Sequence, residues 1–492
     1  MNFQKLFFLF ILLCFQLTIK AYCQTISPYV NQKKLNPNQY HFEYSGLVNS
    51  TMAFSKQNNI LQQKTLPDNF SKNYINNQFN LGFDNQIYLK SAYKFANNNI
   101  GTVGTTAKFE VNINTNQRFL RPNLDQFFGY VENDYFKFEI GNYLAVNQKM
   151  KQGPARFARG AGGINGKYLE YVNLPVFSSQ NNLCNNAINN LACQNFIQPK
   201  FILLAQSPIG HGGYATGFYP QDYSNNYNGK IKLSDFNKNN FRALKDDSFE
   251  GLEDALKLSF YSQKINDFQL GFSLTPSTNN QGFTAKTAPQ SHDNKINNIY
   301  SFGVNYIADF DNLNIALSST AEYGESKKFQ NISRENLFSY DFGGSLSYFG
   351  FKIGSSFGSW GKSLNAKNGA YACNYDENKN LLSQNCANNS ANKFSNSYYF
   401  TSGLAYEIGP IKASLTSLNS NFQGNKYFVK SFGIDYKIKK NLISYIEFTN
   451  FKFKNSLSKI IDLNNQITFA NSSNNIKNND GKIFLIGIYY IY

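Results

Sequence analysis

The sequence predicts an all-β fold: a transmembrane antiparallel β-barrel of about sixteen strands, with a long third loop on one rim folded partly into the lumen. Three observations predict it. Strands with one apolar and one polar face recur along the chain, tight turns alternate with long Asn-rich connections, and the last segment, GKIFLIGIYYIY, is an apolar strand ending on an aromatic residue. Mean hydropathy is −0.43, and no long apolar run follows the amino-terminal one. A bundle of membrane helices is thereby excluded, whereas a barrel needs apolar residues only at alternate positions.

At the amino terminus, a lysine at position 5 precedes an apolar run from Leu6 to Ile19, with small or polar residues around Ala21 to Gln24. This reads as a secretory signal peptide over residues 1–23, leaving 24–492 as the barrel domain. The run is shorter than the ~20 apolar residues of a spanning helix.

In the stretch 102–114, Val103, Thr105, Ala107, Phe109, Val111 and Ile113 share one face, while Gly104, Thr106, Lys108, Glu110 and Asn112 share the other. That is the apolar-out, polar-in order of a water-filled barrel. A hairpin follows at 255–276: Leu256, Leu258 and Phe260 face out, Asn266 and Asp267 turn the chain, and Phe268, Leu270, Phe272 and Leu274 face out on the return. The same reading places strands near 40–54, 86–96, 101–114, 125–133, 134–142, 251–265, 268–276 and 298–309. The second half adds 312–323, 336–348, 351–361, 396–408, 411–422, 426–438, 441–453 and 481–492. The even total suits a single-chain barrel, with boundaries loose enough to leave fourteen or eighteen open. In the last strand Phe484, Ile486, Ile488, Tyr490 and Tyr492 fall on the lipid side.

Aromatic residues make up 16% of the chain, with 33 Tyr and 47 Phe, more than a core needs; interfacial girdles would use the surplus. The formal charge of +16 is nearly all lysine. In an exported protein this describes a solvated surface, and no nucleic-acid partner is expected.

The connection spanning 143–250 is exceptional, because a structureless loop of that length is usually functional. It either caps the barrel outside or enters the lumen. Within it KMKQGPARFARGAGGINGKY gathers Lys149, Lys151, Arg156, Arg159 and Lys167, and the chain holds six arginines in all. Toward its end KDDSFEGLEDAL offers Asp246, Asp247, Glu250, Glu253 and Asp254. If both clusters reach the narrowest point they set a transverse field that sorts ions; otherwise they are solvated groups on the outer surface. On the expected inner wall Lys90, Lys94, Lys108, Lys137 and Lys257 outnumber Glu110 and Glu139, which tilts expectation toward a mild anion preference.

The run GAGGINGK does not satisfy a phosphate-binding loop, since Ala161 occupies the first glycine position and Tyr168 follows the lysine. Four cysteines follow the signal: Cys184 with Cys193, and Cys373 with Cys386, each pair close in sequence and in loop-like surroundings. In an oxidising compartment two local disulfides are the simplest of three connectivities, with metal binding as the alternative. His41, His211 and His292 lack the spacing of a catalytic or zinc site, so no enzyme chemistry, metal or cofactor is expected.

The strand pair DQFFGYVENDYFKFEIGNY (125–143), the hairpin LKLSFYSQKINDFQLGFSLTP (256–276) and the closing strand resemble the Gram-negative general porins, particularly the alphaproteobacterial ones. The resemblance spans essentially the whole mature chain. It implies an outer-membrane homotrimer of sixteen-stranded barrels, each a passive diffusion pore for ions and small hydrophilic solutes narrowed by its third loop. It further implies that the closing strand is read by the barrel-assembly machinery. The chain departs from the pattern in its longer third loop, its two cysteine pairs and a terminal Tyr where Phe is usual. A surface adhesin working through its long loops, or an exported soluble β-rich binding protein, are the alternatives.

Overall fold

The structure, a computed structural model, describes residues 37–57, 79–96, 101–114, 121–158, 160–171, 255–277, 296–326, 335–363, 396–422, 425–454, 459–461, 467–469 and 479–492. Sixteen strands close into one antiparallel barrel. In chain order they are β1 (Gln39–Gln57), β2 (Phe79–Lys94), β3 (Thr102–Asn114), β4 (Arg121–Glu132), β5 (Phe136–Asn142), β6 (Leu256–Ser262), β7 (Phe268–Ser277) and β8 (Ile296–Phe310). They continue with β9 (Leu313–Ser326), β10 (Leu337–Tyr348), β11 (Phe351–Gly361), β12 (Ser397–Ile408), β13 (Ile411–Phe422), β14 (Asn425–Lys439) and β15 (Leu442–Lys454). A small separate hairpin, β16 (Lys459–Ile461) and β17 (Ile467–Phe469), precedes the closing strand β18 (Asn479–Ile491).

Each barrel strand coincides with one that the alternation predicts. Two differences stand out, and the first has a physical cause. β2 begins at Phe79, earlier than expected, because Asn80, Gly82 and Asp84 continue the ladder opposite Ala53, Thr51 and Asn49 of β1. Their polar, turn-like composition reads as loop until the partner strand is known. The β16–β17 hairpin was not expected at all.

Closure is made by β18, which pairs with β15 on one side and β1 on the other. The terminal residue takes part: Tyr492 N donates to Gly46 O and Gly46 N to Tyr492 O, both at 3.0 Å. Turns on the short-connection rim take the left-handed backbone that suits a twisted hairpin. Asn266 and Asp267 have φ of 50° and 68°, and Phe349 and Gly350 have 45° and 79°.

Two faces follow from the period of two. The outward series is large and apolar: Phe302, Phe342, Ile353, Phe400, Leu415, Phe432 and Ile488 are all exposed. The inward series on β6–β15 is mainly small or polar, with Ser259, Ser273, Ser301, Thr320, Asp341, Ser356, Thr401, Thr416 and Thr449 buried. Phe484, Ile486, Ile488, Tyr490 and Tyr492 lie on the outward face, as expected, while Ile483 and Leu485 turn inward and are fully buried. The closing strand is therefore apolar on both faces. Its inner pair joins a cluster with Ile164, Tyr168 and Tyr171 of the long connection, where burying each aliphatic side chain is worth about 1.5–3 kcal/mol.

Candidate functional site

The connection between β5 and β6 is rooted by two buried lysine contacts. Lys257 of β6, 1% exposed, donates through Nζ to the carbonyl oxygens of Tyr143, where the connection begins, and of Ala255, where it ends. Ten residues after Glu139 of β5, Lys149 turns back so that Nζ lies 2.5 Å from Glu139 Oε2, while Lys137 holds Oε1 at 3.0 Å. The Lys149 ammonium also faces the rings of Phe128, Tyr143 and Tyr261 at 5.2, 4.5 and 5.5 Å. For a cation enclosed by aromatic faces and paired with a carboxylate, those contacts offset part of the hydration lost on burial.

From this root the chain follows the inward face of successive strands. A single-turn helix, α1 (Val146–Lys149), lies against β7, β8 and β9. Val146 N donates to Ser273 Oγ at 3.3 Å and Gln152 N to Ser318 Oγ at 2.8 Å. A 3-10 turn at Pro154–Arg156 meets β11 and β12, a second at Gly163–Asn165 meets β13, β14 and β15, and a third at Lys167–Tyr171 meets β18 and β1. Backbone amides that these short turns leave unpaired are taken by wall carboxylates: Gly160 N donates to Asp435 Oδ1 at 3.2 Å and Gly163 N to Glu447 Oε2 at 2.9 Å. Asn49 Nδ2 reaches Gly160 O at 3.3 Å, and Gln57 Nε2 reaches Tyr171 O at 2.6 Å.

Glycines on the inward face mark this path, because a Cβ would collide with the segment. At Gly271 it would meet Met150 Sδ, at Gly343 the Gln152 carbonyl, and at Gly403 Pro154 Cβ at 2.6 Å.

Three of the five basic residues singled out in the sequence are thus brought to the wall, each beside a strand carboxylate. Lys149 pairs with Glu139 of β5. Lys151 Nζ lies 3.3 Å from Asp341 Oδ2 of β10 and donates to the Tyr399 hydroxyl, which itself donates to Asp341. Lys167 Nζ lies 2.8 Å from Asp84 Oδ2 of β2. Arg156 stands in the first 3-10 turn, and Arg159 lies outside the described residues. So do Asp246, Asp247, Glu250, Glu253 and Asp254, the four cysteines Cys184, Cys193, Cys373 and Cys386, and the segment 1–23.

On the wall, Lys90, Lys94, Lys108, Lys137, Glu139 and Lys257 all hold inward positions in the alternation. Lys90 sits 4.0 Å from Glu43 and 5.7 Å from the Tyr130 ring, and Lys108 lies over Tyr88. Glu110 is opposite Gln86 and Asn123 in the ladder. Lys257 differs from expectation in being sealed at the root of the connection instead of lining open space.

Sequence reasoning did not single out Asp84, Asp341, Asp435 and Glu447. Their signal was available: an acid at an inward position of a strand. Burial pushes the phenols of Tyr143 and Tyr168 above the ordinary tyrosine range, so both remain hydroxyls that donate, to Glu139 O at 2.9 Å and to Ile164 O at 3.0 Å.

A closed sixteen-stranded barrel with an apolar outside and a polar inside is the architecture of an outer-membrane channel protein. The family of Gram-negative porins matches over residues 210–456, and the chain belongs to it. Similar proteins include an uncharacterised protein of Rickettsia bellii (strain RML369-C), 24% identical over 444 residues, covering 82% of this chain and 84% of that one. Another, from Rickettsia felis (strain ATCC VR-1525 / URRWXCal2), is 22% identical over 436 residues, covering 78% and 82%. Among solved structures, an anion-selective porin from Comamonas acidovorans aligns with a TM-score of 0.46 and 10% identity, over 92% of this chain and 100% of that one. A triple mutant of Rhodopseudomonas blastica porin aligns with a TM-score of 0.43 and 9% identity, over 92% and 100%.

Proposed function

We propose that the protein is a passive diffusion pore for ions and small hydrophilic solutes, and that residues 143–171 lie within the lumen as its constriction. The observation that carries this reading is the series of contacts by which that segment meets the inward face from β7 round to β1, ending on Asp84 of β2. A segment so fastened narrows the barrel without sealing it. The remaining passage runs between the segment and the arc β2–β4, whose inward side chains include Lys90, Lys94 and Lys108.

In this reading Lys149, Lys151 and Lys167 act as fasteners, because each faces its own carboxylate. A mild anion preference is then carried by Arg156 and Arg159 together with wall lysines such as Lys94 and Lys108, opposed by Asp246, Asp247, Glu250, Glu253 and Asp254 if those approach the opening. The proposal includes a signal peptide at 1–23, local disulfides Cys184–Cys193 and Cys373–Cys386, a homotrimer, and recognition of the outward residues of the closing strand by the barrel-assembly machinery.

The test is conductance of the purified, refolded chain in planar bilayers. Ohmic steps that scale with salt concentration support the pore. A folded barrel that inserts and passes no current overturns it and favours the adhesin reading.

A further inference from the structure

The first strand of the barrel outruns the last. β18 stops at Tyr492, bonded to Gly46, yet β1 continues back from Gly46 through Ser45 to Gln39 with β2 on one side and, among the described residues, no strand on the other. Backbone groups along an antiparallel strand point alternately to its two neighbours. Because Gly46 exchanges both its bonds with Tyr492, the residues Tyr44, Phe42 and Tyr40 turn their N–H and C=O groups the same way, while Ser45, Glu43, His41 and Gln39 face Tyr88, Lys90, Ala92 and Lys94 of β2. Tyr40, Phe42 and Tyr44 therefore present an open edge of backbone donors and acceptors. The run stops at Asn38, whose left-handed backbone (φ 57°) swings its N–H onto Lys94 O at 2.7 Å.

The same residues carry strongly exposed rings. Tyr40, Phe42 and Tyr44 are 83%, 69% and 70% exposed, against 46% for Phe432 and 50% for Ile488, which have a strand on either side. Tyr40 is covered from the β2 side, by Tyr93 at 4.7 Å. Position separates these rings from the lipid belt. The outward tyrosines Tyr348, Tyr406, Tyr436 and Tyr490, near the short-turn ends of β10, β12, β14 and β18, mark the interface on that rim. Tyr490 stands opposite Val48, and Phe42 and Tyr40 lie further along β1 by about 20 and 26 Å. Even at a strand tilt of ~45° this carries them past the girdle, into the compartment that the short turns face.

We propose that this edge is a docking site for an extended peptide segment of another protein in the periplasm, which adds to β1 as a strand. Its ladder continues the β1–β18 pairing past the last bond at Gly46, in line with β18, so the site extends an interface the barrel already makes. Donors and acceptors alternating along a strand edge are matched by another extended backbone, and the side chains at alternate positions select which one. Here the outward contacts are aromatic and the intervening His41, Glu43 and Ser45 are polar, so the segment that fits alternates apolar and polar residues. A second copy does not fit, because pairing β1 with β1 antiparallel about a two-fold axis inverts one barrel in the membrane. The inference rests on the short-turn rim facing the periplasm and is independent of what the pore conducts.

The experiment uses the full chain refolded in detergent and a short fluorescent peptide that alternates valine or phenylalanine with threonine and lysine, its binding read by anisotropy. The comparison peptide has the same side chains and is N-methylated throughout, so it has no N–H to donate. Wild type should bind the first peptide saturably and the methylated one at least roughly tenfold more weakly, as expected when several backbone hydrogen bonds are lost together. Phe42→Pro removes the ring and an N–H that faces the open edge, and none that faces β2, so it should weaken binding roughly tenfold and keep the heat-dependent gel mobility of a folded barrel. Ile265→Ser, at an exposed turn of the same rim, should bind as wild type does. Should Phe42→Pro fail to fold, the two peptides on wild type decide the matter. Absence of saturable binding, equal binding of the two peptides, or equal binding by wild type and folded Phe42→Pro would each overturn the proposal. So would binding that appears only after deletion of residues 24–36, which would assign the edge to the chain's own preceding segment, or an oligomer that the peptide dissociates, which would assign it to a second copy.

Discussion

Lys149 Nζ and Glu139 Oε2 lie 2.5 Å apart, joining the long connection to the strand it has just left, with Glu139 2% exposed. Lys137 occupies the other carboxylate oxygen, so one buried acid serves two cations. Glu139→Gln should therefore leave two ammonium groups without their anion and destabilise the folded barrel by roughly 3–5 kcal/mol, the cost of breaking a buried pair. Urea unfolding of the refolded protein followed by tryptophan fluorescence measures this. A loss below 1 kcal/mol would mean that water reaches the pair.

Gly343 leaves room for the Gln152 carbonyl, and a larger residue would force the segment off β10. Gly343→Leu should keep the barrel folded while changing single-channel conductance or adding flicker. Unaltered channels from a folded variant would place the segment elsewhere.

Reversal potentials in a salt gradient test the charge assignment. Arg156→Gln with Arg159→Gln should lower anion preference, whereas Lys151→Gln, which removes a charge already facing Asp341, should shift selectivity less. If the ranking is reversed, Lys151 faces the opening.

Lys257 caps two carbonyls that have little access to water. Lys257→Met keeps the packing and removes the donors, at a cost of about 1–3 kcal/mol. The midpoint of urea unfolding should fall, and an unchanged midpoint would show that water replaces the ammonium.

Alkaline stability follows from the two buried phenols. Tyr143 and Tyr168 titrate above the ordinary tyrosine value when folded and near it when unfolded, so their contribution is complete below about pH 10 and is lost as pH rises further. Tyr143→Phe and Tyr168→Phe should each flatten the fall in stability between about pH 10 and 12 relative to wild type. Parallel curves would show that neither phenol stays buried.

Much of the fold was legible because a barrel strand is specified locally. Val103 to Phe109, Leu256 to Phe260 and Phe428 to Ile438 declare lipid and water faces by parity alone, and a slip of one residue would exchange them. The site was less legible. Lys149, Lys151 and Lys167 stand out as a basic cluster in sequence, yet their carboxylates come from β5, β10 and β2, far apart along the chain. Inward glycines such as Gly271, Gly343 and Gly403 were a usable hint of a second layer of backbone, but parity alone does not say what approaches them.

By itself the sequence determined the barrel class, the position of most strands, their two faces and the tight turns, since those depend on residue period and on turn chemistry at single positions, while the count of sixteen was settled by closure. Tertiary structure decided which charges meet. The long connection, returning to the wall at β14 and β15, brings the amides of Gly160 and Gly163 to Asp435 and Glu447, and the pairing of those two strands sets Lys426 against Lys454. Those relationships depend on strand register and on a connection returning to the wall, and electrostatic energy depends on distance in space, which a linear order does not contain.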